Sequence, residues 1–206
     1  MLGWGVIAGP FYLIFGLILA LTRPGFDLHR DALSLLLLGA GGWLQALNLI
    51  LAGAMTFVAA IGLARTPRWP RGAALLVGIY GLCLLLSVVF PPDATPDFPP
   101  DGGGGTFSTS GILHVVFGGI GFLSLGTAAI VAVAWQLRRS VRGAVLSVVA
   151  GIVVIVGFIG GGALSQIPLG VALLWIAVVA DWAWLAATCI VAYRAVPHPV
   201  IAQRHA

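Results

Sequence analysis

The sequence predicts an all-α integral membrane protein, a bundle of six transmembrane helices with both termini cytoplasmic. Three observations carry this. Hydrophobic residues make up 60% of the chain and charged ones 8%, whereas a soluble domain holds about 25% charged residues to hydrate its surface. Six apolar runs come close to or exceed the roughly 20 residues that cross a hydrocarbon core at about 1.5 Å per residue. The arginines gather in alternate connections. At 206 residues, six spans with short loops use the whole chain, so residues 1–206 read as a single transmembrane domain.

The first run is about Trp4 to Leu21. It has neither a basic leader nor a small-residue cleavage site, so it is expected to be an anchor and not a signal peptide. Beyond it, Leu33 to Leu38 is apolar but too short to span. It is expected to be an interfacial or re-entrant piece leading into a glycine-rich turn, Gly39 to Gly42. The second run is about Trp43 to Ala64 and the third about Ala73 to Phe90. After the third comes PPDATPDFPPDGGGG, Pro91 to Gly105, whose prolines and glycines forbid a regular helix. It reads as an outer loop, mobile around its four glycines. The fourth run is about Ile112 to Leu137, the fifth Ala144 to Leu164 and the sixth Leu169 to Tyr193. Backbone groups in lipid must bond within their own segment, so each run is a helix. A barrel would show short alternating strands instead.

Arginine placement predicts orientation through the positive-inside rule. Arg65, Arg68 and Arg71 follow the second span, Arg138, Arg139 and Arg142 the fourth, and Arg194 and Arg204 the sixth. The loop after the third span has Asp93, Asp97 and Asp101 and no arginine. In the first loop Arg23 and Arg30 are balanced by Asp27 and Asp31, and the last loop, Ser165 to Pro168, is uncharged. The net charge of +4 therefore reports orientation and not nucleic-acid binding. Lys and Glu are absent from the chain, which with its Ala and Gly content suggests a GC-rich bacterial genome. The expected location is a bacterial inner membrane, crossed several times. Cys83 and Cys189 lie in apolar runs with no CxxC spacing and read as small hydrophobes.

Gly5 and Gly9, and Gly157 and Gly161, have GxxxG spacing, which lets helix backbones approach closely, either inside the bundle or across a homodimer. A weak internal repeat is also visible. Gly42-Trp-Leu-Gln45 and Gly111-Ile-Leu-His114 open spans in similar ways, and each leads to an Arg-Gly turn (Arg71-Gly72, Arg142-Gly143). That would place Gln45 and His114 at matching depths.

Polar groups inside a membrane are costly and point to function. Asp181 lies eleven residues past Gly170, roughly 16 Å deep, with no arginine at that depth in any other span. It reads as a proton-coupling carboxylate, a cation ligand, or a protonated acid bonded to a neighbour such as Thr56 or Ser124. Trp182 and Trp184 flank it. Gln45 and Asn48, spaced i, i+3, share a face of the second span and are expected to point inward, toward the fourth span or a ligand headgroup. His114 sits one turn into the fourth span, near outer-loop aspartates. Asp93 and His114 are candidates for a divalent metal, for acid–base work, or for a hydrogen-bonded pair that anchors the loop. No other cofactor is implied. Walker A, HExxH and dinucleotide fingerprints are absent, and the aspartate run lacks the pattern of an EF-hand.

Three stretches carry a family resemblance: RPGFDLHRDALSLLLLGAGGWLQALNLILAG (Arg23 to Gly53), FPPD (Phe90 to Asp93), and the Gly-x-Leu-His of Gly111 to His114. Together they resemble the bacterial six-helix membrane proteins grouped as domain of unknown function 998, which are distantly similar to Frag1/DRAM-type proteins. The resemblance covers most of the chain through the fourth span; the last two spans match only in hydropathy. It implies that Asp93, His114, Ser34 and Asp27 share an outer site. His29 departs from the family, which is expected to have proline there.

Three functions compete. The first is binding or transport of a lipid or small amphiphile through a polar rim (Asp27, Ser34, Gln45, Asn48, Asp93, His114) with Asp181 beneath. The second is a non-catalytic membrane subunit or assembly factor whose partner is another membrane protein. The third is a membrane-embedded enzyme acting on a lipid-linked substrate through Asp93 and His114. Membrane lipids are the expected partners in each case.

Overall fold

The computed structural model describes residues 1–100, 104 and 107–196. Asp101, His198, Arg204 and His205 lie outside the described residues. The described residues form helices and no strands: α1 (Leu2–Thr22), a short 3-10 helix (Leu33–Leu37), α2 (Gly42–Ala64), α3 (Arg71–Val89), α4 (Thr109–Val131), α5 (Val133–Leu137), α6 (Val141–Ala163) and α7 (Pro168–Ala195). Six segments are long and apolar enough to cross a membrane, with Thr109–Leu137 counted as one. The sequence places every span to within about three residues. It misses the break at Ala132, which divides the fourth span into α4 and α5.

The spans pack in a ring. Each lies against its neighbours in the chain, α4 against α6, and α7 closes back onto α1. Residues such as Ile14, Leu75, Val115, Val145 and Ile159 stand exposed on the outside of the ring, as a lipid-facing surface requires. Close approach inside the ring depends on glycine. A Cβ on Gly9 would strike Trp182 of α7, and one on Gly5 would strike Cys189 and Ala59; Gly157 and Gly161 fit the same way against Ala177 and Leu174. Both GxxxG pairs therefore pack helices within the bundle.

The two ends of the ring differ. At the arginine-rich end Trp69 and Trp135 meet edge to face with centroids 4.8 Å apart. The Trp135 indole N–H donates to the Pro67 carbonyl at 3.2 Å, and the Arg139 guanidinium lies 3.5 Å from the Trp135 ring. That end is plugged by aromatic rings. At the other end the first and third connections wind over one another. The 3-10 helix buries Leu33, Leu35 and Leu36 in the mouth of the ring. Fully buried Phe98 packs edge to face on Phe26 at 5.3 Å. Arg23 donates to the Leu38 carbonyl and fills the space beside Gly39 and Gly41, where a Cβ would collide with its guanidinium. Gly39 has φ +71°, a conformation that favours glycine.

Candidate functional site

The corner between α3 and α4 holds two of the four residues that the family resemblance singled out, Asp93 and His114. Ser108 is the N-cap of α4, its hydroxyl accepting from Gly111 N–H. The Asp93 carboxylate accepts from Ser108 N–H at 2.9 Å and from the Ser108 hydroxyl. It therefore sits at the positive end of the α4 dipole. Those two bonds hold its pKa below the usual carboxylate range. Ser110 donates to the Pro91 carbonyl at 2.9 Å. His114, one turn on, places Nδ1 2.8 Å from the Phe90 carbonyl, one of the carbonyls a helix end leaves without an internal partner. Gly111 must be glycine because a Cβ there would occupy the space of the Asp93 carboxylate.

The expected Asp93–His114 hydrogen bond is therefore not formed. Both residues anchor the loop, but through separate partners: Asp93 caps the start of α4 and His114 caps the end of α3. Sequence spacing placed them at one level, but their side chains are claimed by the two backbone ends nearest each of them. Among the described residues no group of three or more His, Cys, Asp or Glu side chains is placed to hold a metal ion.

Two spaces lie behind this corner, with Ser165 on the lining of both. The outer one, of about 640 Å³, is lined by Arg30, Asp31, Asp93, Thr95, Asp97 and Ser165 among others. Asp31 is buried there, which raises its pKa. The inner space, of about 310 Å³, lies within the ring and has mainly apolar walls. Its polar points are Tyr12, Ser34, Tyr80, Ser87, His114 and Ser165, the last shared with the outer space. One wall is aromatic: Phe122 stacks on Phe158 at 4.8 Å and Tyr80 meets Phe122 edge-on at 6.2 Å.

Beside the inner cavity lies a group of polar residues sealed from solvent. Gln45, Asn48 and Asp181 are each 0% exposed. Tyr80 donates to Asp181 Oδ2 at 2.9 Å. Asn48 donates to the Tyr12 carbonyl at 3.1 Å and to Gln45 Oε1 at 3.2 Å. Tyr12 and Tyr80 both pack on Trp182, at 5.3 and 5.5 Å. Gln45 Nε2, Asn48 Oδ1, Asp181 Oδ1 and Trp182 Nε1 lack a well-aligned hydrogen-bond partner, although Gln45 approaches the Tyr12 hydroxyl and the Asp181 carboxyl the Trp182 backbone N–H. Gln45 and Asn48 do point inward, yet Asn48 reaches α1 and not the fourth span. Nor is Asp181 held by Thr56, whose hydroxyl returns to the Ala52 carbonyl of its own helix. Gln45 and His114, each in the opening turns of its span, differ in role: Gln45 is core, while His114 caps a helix end.

The seven candidate residues thus occupy four places. Ser34 and His114 line the inner cavity, and Asp93 the outer space. Gln45, Asn48 and Asp181 form the sealed group. Asp27 is exposed and turned onto its own loop, accepting from His29 N–H at 2.9 Å, which lowers its pKa. Sequence reasoning missed Tyr12 and Tyr80. The available signal was a phenol in mid-span, since a buried tyrosine hydroxyl usually finds a partner.

A family model described as "Protein of unknown function (DUF998)" matches residues 6–191. The chain belongs to this family. No curated protein and no solved structure matches it. The DUF998 match runs through all six spans, further than the motifs of the first four alone. In this DUF998 chain the motif residues Arg23, Gly111, Asp93 and His114 build the cover of the bundle, while the cavity and the sealed polar group beside it lie within the ring.

Proposed function

We propose that this multi-pass membrane protein binds, and exchanges with one face of the membrane, a small amphiphile that puts its apolar part into the inner cavity and its polar part among the outer loops. The observation that carries this is the two-part space itself. An apolar chamber of about 310 Å³ falls at the lower end of the size range of small-molecule sites, which are mostly apolar with a few placed polar groups. It meets a polar chamber at Ser165. The arginine pattern supports cytoplasmic termini, and on that reading the cavity opens to the non-cytoplasmic side. An acid–base or metal pair of Asp93 and His114 draws no support from the geometry, because each is engaged by backbone.

Native mass spectrometry of the protein released from mild detergent tests this. Gly118 lines the cavity, and a Cβ there meets only Phe158, at 3.9 Å, so Gly118→Leu fills the space without striking backbone. Gly72, with nothing within 4 Å, lies at the arginine-rich end and supplies the control Gly72→Leu. A bound amphiphile present in wild type and Gly72→Leu and lost in Gly118→Leu is expected. Equal occupancy in all three would remove the cavity as the binding site.

A further inference from the structure

We infer that the inner cavity selects a lipophilic organic cation, an ammonium or similar group carried on a small apolar body, with Asp181 as its counter-charge. The inference rests on the cavity reading above and specifies its ligand.

Asp181 is the one Asp among the described residues of the spans, and no cationic side chain acts on it. The helix arginines, Arg71, Arg142 and Arg194, lie at the plugged end; Arg194 is thirteen residues along α7 from Asp181, roughly 20 Å away. A membrane carboxylate ordinarily pairs with another group or faces a pathway. Here Tyr80 is the one side chain among the described residues that bonds the carboxyl, at 2.9 Å, and the other contact is from the Trp182 backbone. Tyr80, which holds the carboxyl, is also a wall of the cavity, while Asp181 itself lies off the lining. The remaining walls suit a cation as well. Tyr12, Tyr80, Phe117, Phe122 and Phe158 line the chamber, and aromatic faces attract cations most strongly where water is excluded. An anionic occupant would face this carboxylate and the outer Asp31, Asp93 and Asp97 with only Arg30 in its favour.

Cys83 lines the cavity and is a free thiol, which supplies a reporter in the unmodified protein. The protein is placed in lipid nanodiscs and treated with methyl methanethiosulfonate, and modification of Cys83 is followed by peptide mass spectrometry. Two probes of one shape are compared: benzyltrimethylammonium and its neutral isostere neopentylbenzene. The cation is expected to slow modification at concentrations at least tenfold lower than the isostere. Asp181→Asn is expected to erase that tenfold advantage and leave protection by the isostere unchanged. Asp181→Leu, which removes the charge and leaves no polar atom of its own to satisfy, stands as the second variant should Asp181→Asn fold poorly, and should erase the advantage as well. Gly118→Leu should abolish protection by both probes. Equal protection by the two probes in wild type, or a cation advantage that survives in Asp181→Asn, overturns the charge inference and leaves the cavity reading standing. If neither probe slows Cys83 modification at millimolar concentration, both readings fall.

Discussion

Replacing Arg23 with alanine should open the cover of the bundle without unfolding the bundle. The guanidinium donates to the Leu38 carbonyl, fills the gap beside Gly39 and Gly41, and lies 6.0 Å from the centroid of Phe98. A hydrogen bond from a charged donor contributes about 1.5–3 kcal/mol, and a cation–π contact at an accessible site about 0.5–1 kcal/mol. Arg23 is only half-buried and water competes for it, so the lower part of the combined range applies, about 2 kcal/mol. At about 1.4 kcal/mol per decade, local opening becomes ~30-fold more frequent. Hydrogen–deuterium exchange in nanodiscs should show that acceleration in residues 33–44 and 91–100, with α7 amides around Leu185 unchanged, as local opening requires. Arg23→Lys should recover little, because an ammonium cannot fill the planar slot. Acceleration below threefold, or an equal increase throughout the spans, would refute the assignment of Arg23 as the clasp of this cover.

Three further outcomes follow from the same contacts. Gly111→Ala should displace Asp93 from Ser108 and accelerate exchange at the start of α4, and Asp93→Ala should add nothing to it, because the two changes break one interaction. The Asp93 pKa is lowered in the folded protein, so its contribution is present above the unfolded value of about 3.9 and lost as pH falls through the folded value; protection at 107–112, taken relative to the intrinsic exchange rate at each pH, should fall on acidification in wild type and stay flat in Asp93→Asn. Ser147→Ala leaves the buried Trp184 indole N–H, now 2.9 Å from the Ser147 hydroxyl, without an acceptor; chemical unfolding should show a loss of about 1 kcal/mol, between the membrane average near 0.6 and the penalty for an orphaned donor, and no measurable loss would show that water or another group replaces the serine.

The spans and their order were legible because hydropathy over some twenty residues is a strong signal that no tertiary contact overrides. Residues 33–37 were also read correctly as non-spanning, on length alone. The break at Ala132 was not legible, since no proline or glycine marks it. Side-chain partners were the weak point. The sequence shows that Asp181 lacks an arginine, but Tyr80 lies one hundred and one positions away, and only the closure of α7 onto α1, which completes the ring, brings them together across it. Asp93 and His114 were read as a pair because both are titratable and close in the topology. The competing principle was the need of helix ends for partners: Ser108 N–H and the Phe90 carbonyl stand nearer to each than they do to one another. A serine three residues after the loop glycines, with glycine three further on, was the capping signal that could have revealed this.

That reassignment moves the search for function inward. Motif residues on a membrane protein's outer face invite a catalytic reading, yet here Arg23, Asp93, Gly111 and His114 are accounted for by backbone groups they satisfy or space they leave. The groups that lack a well-aligned partner lie within the ring: Gln45 Nε2, Asn48 Oδ1, Asp181 Oδ1 and Trp182 Nε1, four of the five such side-chain atoms among the described residues. Buried polar atoms without one are rare, and each calls for a reason. A bundle selected only to hold itself together would place leucine at these positions and gain stability, since polar pairs between membrane helices contribute little on average. The fifth, Trp69 Nε1, sits at the plugged end, in an aromatic contact that packing alone explains. Asn48 and Trp182 contact Tyr12 and Asp181 is bound by Tyr80, and both tyrosines are walls of the inner cavity, so a polar or charged occupant is the reason that fits their position.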